Sequence, residues 1–246
     1  MINFKLNILQ SCSSTNDIAI KNAKEGLPEG TSYLSYSQTK GRGRNNNQWN
    51  SMKGNLFLST IFRPTSKKIY WHQLSLIIGH SILETLVNLG VEKKIIELKW
   101  PNDVLVKKRK ISGVLLESFD DFIVGGIGLN IVKVPQNEIK WNTTKLNDHL
   151  INDFSLKYIA NMLLKIIFKN YVIWEVKGFI FFKNKLNNNL KNINNNIVIR
   201  LNSDLKKISG IFLGLGDNGS LKIKVGKKIF EYYSVESLFF PDVGLS

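Results

Sequence analysis

The stretch Ile95 Ile96 Glu97 Leu98 Lys99 Trp100 Pro101 Asn102 Asp103 Val104 Leu105 Val106 Lys107 Lys108 Arg109 Lys110 Ile111 Ser112 Gly113 Val114 Leu115 Leu116 reads as three successive strands. The apolar run 95–100 stops at Pro101, which cannot donate to a strand ladder and restricts the residue before it. Asn102 and Asp103 follow at a turn, and 104–106 and 111–116 make a hairpin around the basic segment 107–110. Segment 122–131 is the next neighbour and carries Gly125, Gly126 and Gly128. Glycines inside a strand weaken it and mark a place where something approaches the backbone closely.

Outward from this sheet, 4–9 is a first strand, followed by Ser14, Thr15 and Asn16 and a helical pattern with Ile18, Ala19 and Ala23. These three polar residues are either helix N-cap signals or groups facing a small polar ligand. A strand at 33–37 delivers the chain into Gln38 Thr39 Lys40 Gly41 Arg42 Gly43 Arg44 Asn45 Asn46 Asn47 Gln48 Trp49, and one at 55–62 takes it out. Here two glycines alternate with two arginines, so the backbone can approach a ligand while planar, permanently charged guanidinium groups reach it. That is a clamp for phosphate or carboxylate. Nothing apolar lies between Gln38 and Trp49, so a mobile lid that orders on its ligand is expected.

Apolar residues at 74, 77, 78, 82, 86 and 89 make one face of a helix that Gly90 ends. A second amphipathic helix follows Ser155, with Leu156, Ile159, Ala160, Leu163, Leu164 and Ile167 on its buried stripe. The Asn-rich segment 186–196 reads as a linker, since it has little apolar surface of its own. Beyond it come short strands at 197–201, 208–215, 221–225 and 229–233, with Asp217 Asn218 Gly219 as a hairpin turn. They make a small all-β barrel, and the class is α+β.

With 246 residues, 43% hydrophobic and 11% aromatic, the chain is of globular composition. No apolar run reaches the roughly 18 residues of a membrane span. The N-terminus is too polar for a secretory signal, so a cytoplasmic protein is expected. Cys12 alone excludes an internal disulfide, and His72, His80 and His149 lack metal-ligand spacing. The net charge of +15 is spread along the chain rather than gathered into an aromatic-laced stripe, which leaves a basic nucleic-acid-binding module as a minor alternative.

Taken in order and spacing, Ser14 Thr15 Asn16, the block from Gln38 to Arg44 with Trp49, Lys99 Trp100 Pro101 Asn102 Asp103, Lys110 Ile111 Ser112 Gly113 Val114 Leu115, and Gly126 Ile127 Gly128 Leu129 Asn130 resemble the biotin protein ligases. The resemblance covers essentially the whole chain. It implies a mixed β-sheet catalytic domain with packed helices over 1–190 and an SH3-like barrel over 191–246. It implies activation of biotin by ATP with Mg2+ to biotinyl-5′-AMP, and transfer to a lysine of a biotin carboxyl carrier protein of acetyl-CoA carboxylase. The first step brings two anions together, so cations must offset their repulsion while positioning does most of the rest.

By position the resemblance assigns Ser14, Thr15, Asn16 and Gln38 to the biotin ureido ring, and Gly113 and Gly126 to the pocket lining. Arg42, Gly43 and Arg44 match the loop over biotin and the α-phosphate, and Lys110 the lysine touching both carboxylate and phosphate. Trp49, Asn102 and Asn130 fall on the ATP side, while Asp103 lies where the acceptor amine arrives. Arg44, Lys110 and Asp103 are thus the candidate catalytic residues. Asn45, Asn46 and Asn47 replace the Arg and Gly usual in the family, removing a cationic contact with the adenylate. Some members repress genes through an added N-terminal helix-turn-helix; here Ser-Thr-Asn arrives by residue 14, so no sequence-specific DNA binding is expected. A homodimer is compatible with the family. A lipoate or octanoate ligase or transferase of the related fold is the main alternative.

Overall fold

The structure is a computed structural model that describes residues 3–134, 142–201 and 207–239. Short runs rich in β-branched and apolar residues build seven strands: β1 (Lys5–Leu9), β2 (Thr31–Ser35), β3 (Leu56–Phe62), β4 (Ile96–Lys99), β5 (Asp103–Val106), β6 (Arg109–Ser118) and β7 (Ile123–Leu129). They form one sheet in the order β1-β2-β3-β7-β6-β5-β4. The β1–β2 pair is parallel and the other pairs are antiparallel, so the sheet is mixed.

Because side chains alternate across a strand, register assigns the two faces. Leu34, Leu58, Ile127 and Val114 lie in one row and are buried in the main core. Against them pack α2 (Leu74–Asn88) and α3 (Leu156–Lys177), followed by α4 (Ile180–Asn187). Each such buried side chain contributes about 1.5–3 kcal/mol of hydrophobic stabilisation. The opposite face carries α1 (Thr15–Lys24), whose Ala19 and Ala23 sit in a smaller cluster with Tyr33, Ile61, Phe122 and Val124. Helices thus cover one face fully and the other only in part, which leaves a cleft beside α1.

Three sequence expectations need correcting. First, α2 is not one-sided: Leu76, His80 and Leu83 are buried along with the predicted face, because neighbours enclose it. Secondly, the hairpin turn is not the whole segment 107–110. It is Lys107 and Lys108, both at positive φ (+48° and +62°), and Lys110 lies in β6. Thirdly, 186–196 is no linker. Leu186 and Leu190 are buried; Leu190 bridges to Leu98; and Leu98 N donates to Asn189 O at 2.7 Å while Lys191 N donates to Leu98 O at 2.8 Å. Two leucines anchor the segment to the free edge of β4, and Asn192 and Asn194 take up the positive φ its turns require.

The last strands are β8 (Asn196–Arg200), β9 (Lys207–Leu215), β10 (Leu221–Val225), β11 (Lys228–Tyr232) and β12 (Ser237–Phe239). Among the described residues they form a five-stranded sheet in the order β11-β10-β9-β8-β12, not a closed barrel. Its predicted Asp217–Gly219 turn docks on the first unit: Trp100 Nε1 donates to Gly219 O at 3.1 Å and Gln73 Nε2 to Asn218 O at 3.1 Å. Ile197, Phe212 and Leu221 belong to the same hydrophobic cluster as α2 and α3, so the two sheets share a core.

Candidate active site

The floor of the cleft is made by missing side chains. Phe57, Gly128, Gly113 and Asp103 face one another across β3, β7, β6 and β5, and the next row holds Ser59, Gly126 and Leu115. A Cβ on Gly128 would stand 2.2 Å from Trp49 Cε2, and one on Gly126 2.1 Å from Asn16 Oδ1. Glycine is required because neighbouring side chains occupy the space directly above the sheet. Trp49, expected on the nucleotide side, therefore lies over Gly113 and Gly128, with Lys110 Nζ 5.4 Å from its ring centroid. Its Nε1 is buried with no hydrogen-bond partner among the described residues.

Lys110 reaches the cleft through an irregularity. In a regular strand residues three apart point to opposite faces, which would separate Lys110 from Gly113. The β5–β6 register instead steps from Val104↔Ser112 to Leu105↔Lys110, so Ile111 is the extra residue of a β-bulge. Parity reverses, and Lys110 Nζ lies 2.8 Å from Asp103 Oδ1 in a largely buried ion pair. Asn102 is tied down by Nδ2 donating to Val114 O at 2.9 Å and offers its Oδ1 to Arg44. Asn130 is buried and donates to Thr144 O at 3.2 Å. Burial pulls the Lys99 amine below its ordinary pKa, with Asp103 opposing and Lys110 and Lys191 reinforcing the shift.

The start of α1 forms the opposite wall. Ser14 occupies the N-cap position but makes no side-chain cap, which leaves its hydroxyl to the cleft, where it accepts from Arg42 Nη1 at 3.4 Å. Gln38 Oε1 accepts from Thr15 N at 2.8 Å. Ser59 Oγ lies 2.5 Å from Asn16 Oδ1 and 2.7 Å from Thr15 Oγ1. The Thr15 hydroxyl gives its proton to Gln38 Oε1 at 3.0 Å, so Ser59 is the donor of this pair of contacts and turns its one proton to Asn16 Oδ1, which can only accept. Asn16 Nδ2 in turn donates to Glu117 Oε2 at 2.6 Å. All the sequence-predicted polar residues of this wall are brought together.

The basic loop, which has no apolar anchor of its own, is held in this structure by charge and hydrogen bonds. Arg42 Nη1 is 2.6 Å from Asp17 Oδ1, and Nη2 is 3.0 Å from both oxygens of Glu117. Burial opposes the Arg42 charge, but Glu117 and Asp17 outweigh it and raise its pKa. Arg44 Nη1 donates to Asn102 Oδ1 at 3.3 Å, and Nη2 to Val235 O at 3.2 Å. Burial lowers the Arg44 pKa, with Asp103 opposing. Asn45 Nδ2 donates to Glu236 O at 2.8 Å, so the loop leans on the second sheet.

Ser59 and Glu117 escaped the sequence reading. Alternation held the clue for Glu117, since 113, 115 and 117 share one face of a glycine-bearing strand. Cys12 bridges to Gln38 beside this wall, yet burial pushes its thiol pKa up, which disfavours the thiolate a transfer nucleophile requires. Among the described residues no group of three His, Cys, Asp or Glu is placed to hold a metal, and no helix is long and apolar enough to cross a membrane.

The model of the Biotin/lipoate A/B protein ligase family matches residues 8–130. The biotin–[acetyl-CoA-carboxylase] ligase of Mycobacterium tuberculosis is 30% identical over 175 residues, covering 70% of this chain and 65% of that protein. The bifunctional ligase/repressor BirA of Bacillus subtilis is 28% identical over 238 residues, 91% of this chain and 70% of that one. Among solved structures, the biotin protein ligase of Aquifex aeolicus in complex with biotin and ATP is 32% identical. It aligns with a TM-score of 0.84 over 96% of this chain and 99% of that chain.

Proposed function

The chain belongs to the Biotin/lipoate A/B protein ligase family, and from that premise we infer that it is a biotin–[biotin carboxyl-carrier protein] ligase. A carboxylate oxygen of biotin attacks the α-phosphorus of ATP, pyrophosphate leaves, and biotinyl-5′-AMP forms. A carrier lysine amine then attacks the acyl carbon, AMP leaves with the bonding pair, and the amine gives up its proton.

The observation that carries this reading is the meeting of Arg44, Lys110 and Asp103 beside a glycine floor walled by Ser14, Thr15, Asn16 and Gln38. The wall offers hydroxyl and amide groups suited to a ureido ring, and Gly113 and Gly126 let Lys110, Trp49 and Asn16 lie close over the sheet to line its pocket. The loop of Arg42, Gly43 and Arg44 closes over biotin and the α-phosphate, with Asn102 and Asn130 toward the nucleotide and Trp49 between the two subsites. Lys110 offsets the repulsion between the two anions, its charge worth most once water is excluded. Asp103 takes the proton of the acceptor amine, an assignment its contact with Lys110 supports. Mg2+ enters with the phosphates of ATP. That ion is usually held through substrate phosphates and water rather than by a protein cage, which fits the residues present.

We further read residues 1–190 as the catalytic unit and 191–246 as an SH3-like unit, on the order of its antiparallel strands. We read the protein as cytoplasmic, able to dimerise, and without a sequence-specific DNA operator. The test is biotin-dependent exchange of pyrophosphate into ATP, run beside lipoate and octanoate. Exchange with biotin alone is expected. Exchange with octanoate or lipoate and none with biotin would overturn the assignment in favour of the related acyl ligases.

A further inference from the structure

Arg42 and Arg44 are two residues apart, yet their electrostatic surroundings differ in kind. Arg42 faces two carboxylates, Asp17 at 2.6 Å and Glu117 at 3.0 Å. One cation against two anions gives that cluster a net charge of −1. Arg44 donates only to neutral acceptors in the described contacts, Asn102 Oδ1 and Val235 O. The carboxylate near it, Asp103, is itself 2.8 Å from Lys110. A third carboxylate or a phosphate approaching Arg42 would meet net negative charge, whereas one approaching Arg44 and Lys110 meets net positive charge.

Glu117 has a second task. Its Oε2 receives Asn16 Nδ2 at 2.6 Å, while Asn16 Oδ1 receives Ser59 at 2.5 Å. The amide is therefore fixed at both ends, which leaves one lone pair of Oδ1 for a ligand donor and the second N–H of Nδ2 for a ligand acceptor. Moving Arg42 onto a ligand would leave a half-buried carboxylate with Asn16 as its one remaining partner among these groups, and the wall would lose its brace.

We propose that Glu117 is a positioning residue of the biotin pocket: it orients Asn16 and engages Arg42 as a brace between α1 and β6, so that Arg44, not Arg42, carries the loop's charge toward the reacting anions. The proposal rests on the biotin-adenylation reading. It assigns Glu117 and Arg42 to biotin affinity, and Arg44 with Lys110 to the chemical step.

The test separates binding from turnover. Biotin affinity is measured by calorimetry without ATP, and kcat and the KM for ATP by pyrophosphate exchange. Glu117→Gln, which keeps shape and loses charge, should weaken biotin binding about 10-fold to 100-fold, the range of a charge-assisted hydrogen bond. Its kcat and its KM for ATP should stay within about threefold of wild type. Arg42→Ala should weaken biotin binding comparably, and Arg42→Ala with Glu117→Ala should cost no more biotin affinity than the worse single change. Arg44→Ala should instead lower kcat and combine independently with Glu117→Ala. The inference is overturned if Arg42→Ala depresses kcat or ATP affinity as strongly as Arg44→Ala, or if the Arg42 and Glu117 effects multiply. Should Glu117→Ala not fold, the cycle is run with Glu117→Gln. A wild type that shows no biotin-dependent exchange would sink the ligase reading itself, whereas an active wild type with those outcomes would sink only the division of labour.

Discussion

Replacing Gly126 by Ala tests the glycine floor directly. The added methyl would lie 2.1 Å from Asn16 Oδ1, 2.8 Å from its Cγ and 2.9 Å from its Nδ2, all inside van der Waals contact. Asn16 cannot swing aside without giving up Glu117 at 2.6 Å and Ser59 at 2.5 Å. Overpacking of a rigid site costs about 1–3 kcal/mol, and a charge-assisted hydrogen bond lost in relieving it about 1.5–3 kcal/mol. A total of roughly 2–4 kcal/mol is expected, because relief by one route reduces the other. For a chain of this size each kcal/mol moves Tm by about 2–4 °C, so melting should fall by roughly 4–16 °C. Biotin affinity should drop by at least about 100-fold as the wall is displaced. Gly43→Ala is the control: its Cβ meets nothing closer than Asn47 O at 3.6 Å, its φ is −118°, and its Tm should stay within about 2 °C. Calorimetric melting and biotin titration of both variants decide the matter. A Gly126→Ala protein that melts and binds biotin like wild type would mean that Asn16 is free to move, and the account of a fixed wall would be wrong.

Lys110→Ala should lower adenylate formation by on the order of 10² to 10³ while biotin binding falls less, because the lysine acts mainly where the two anions meet; unchanged pyrophosphate exchange would remove it from the reaction. Arg44→Gly should release biotinyl-5′-AMP about 10-fold to 150-fold faster, as expected for loss of a charge-assisted contact. With serum albumin and no carrier, a streptavidin blot should then show more bystander labelling than wild type; equal, negligible labelling by a variant that still makes adenylate would refute the latch. Fold stability should fall as the medium is acidified below about pH 6.5, the ordinary histidine value. Burial lowers the pKa of His80, with Glu84 opposing and Lys185, Lys93 and Lys169 reinforcing, and burial also lowers that of His149. The unfolded chain therefore takes up protons first, and the contribution is present above the unfolded pKa and lost as pH drops through the folded one. Urea titrations at several pH values should show this slope, and His80→Gln should reduce it; the same slope in the variant would assign it elsewhere.

Much of the fold was legible because its signals are local. Pro101 ends β4, Gly90 stops α2, Ser155 caps α3 by accepting from Tyr158 N at 3.2 Å, and the Asp217–Gly219 turn joins β9 to β10. Each depends on residues within a few positions of one another, and so did the polar and charged blocks from which the cleft was read. Where local signals were weak the reading failed. The asparagines of 186–196 look solvated, yet Leu186 and Leu190 are buried because β4 offers an open edge for them to cover.

Sequence alone named most of the groups that line the cleft, namely the Ser-Thr-Asn run, the paired arginines, Lys110 with Asp103 and the glycines of β6 and β7, but not Ser59 or Glu117. Tertiary structure decided which of them meet. Strand alternation by itself sends Lys110 to the wrong face, and only the bulge at Ile111 returns it to Asp103. Arg42 is neutralised by Glu117, 75 positions away in the chain, while Arg44 rests on Val235 O, 191 positions away. Local preference acts over a few residues, whereas charge pairing and register act between elements that only the folded core places side by side.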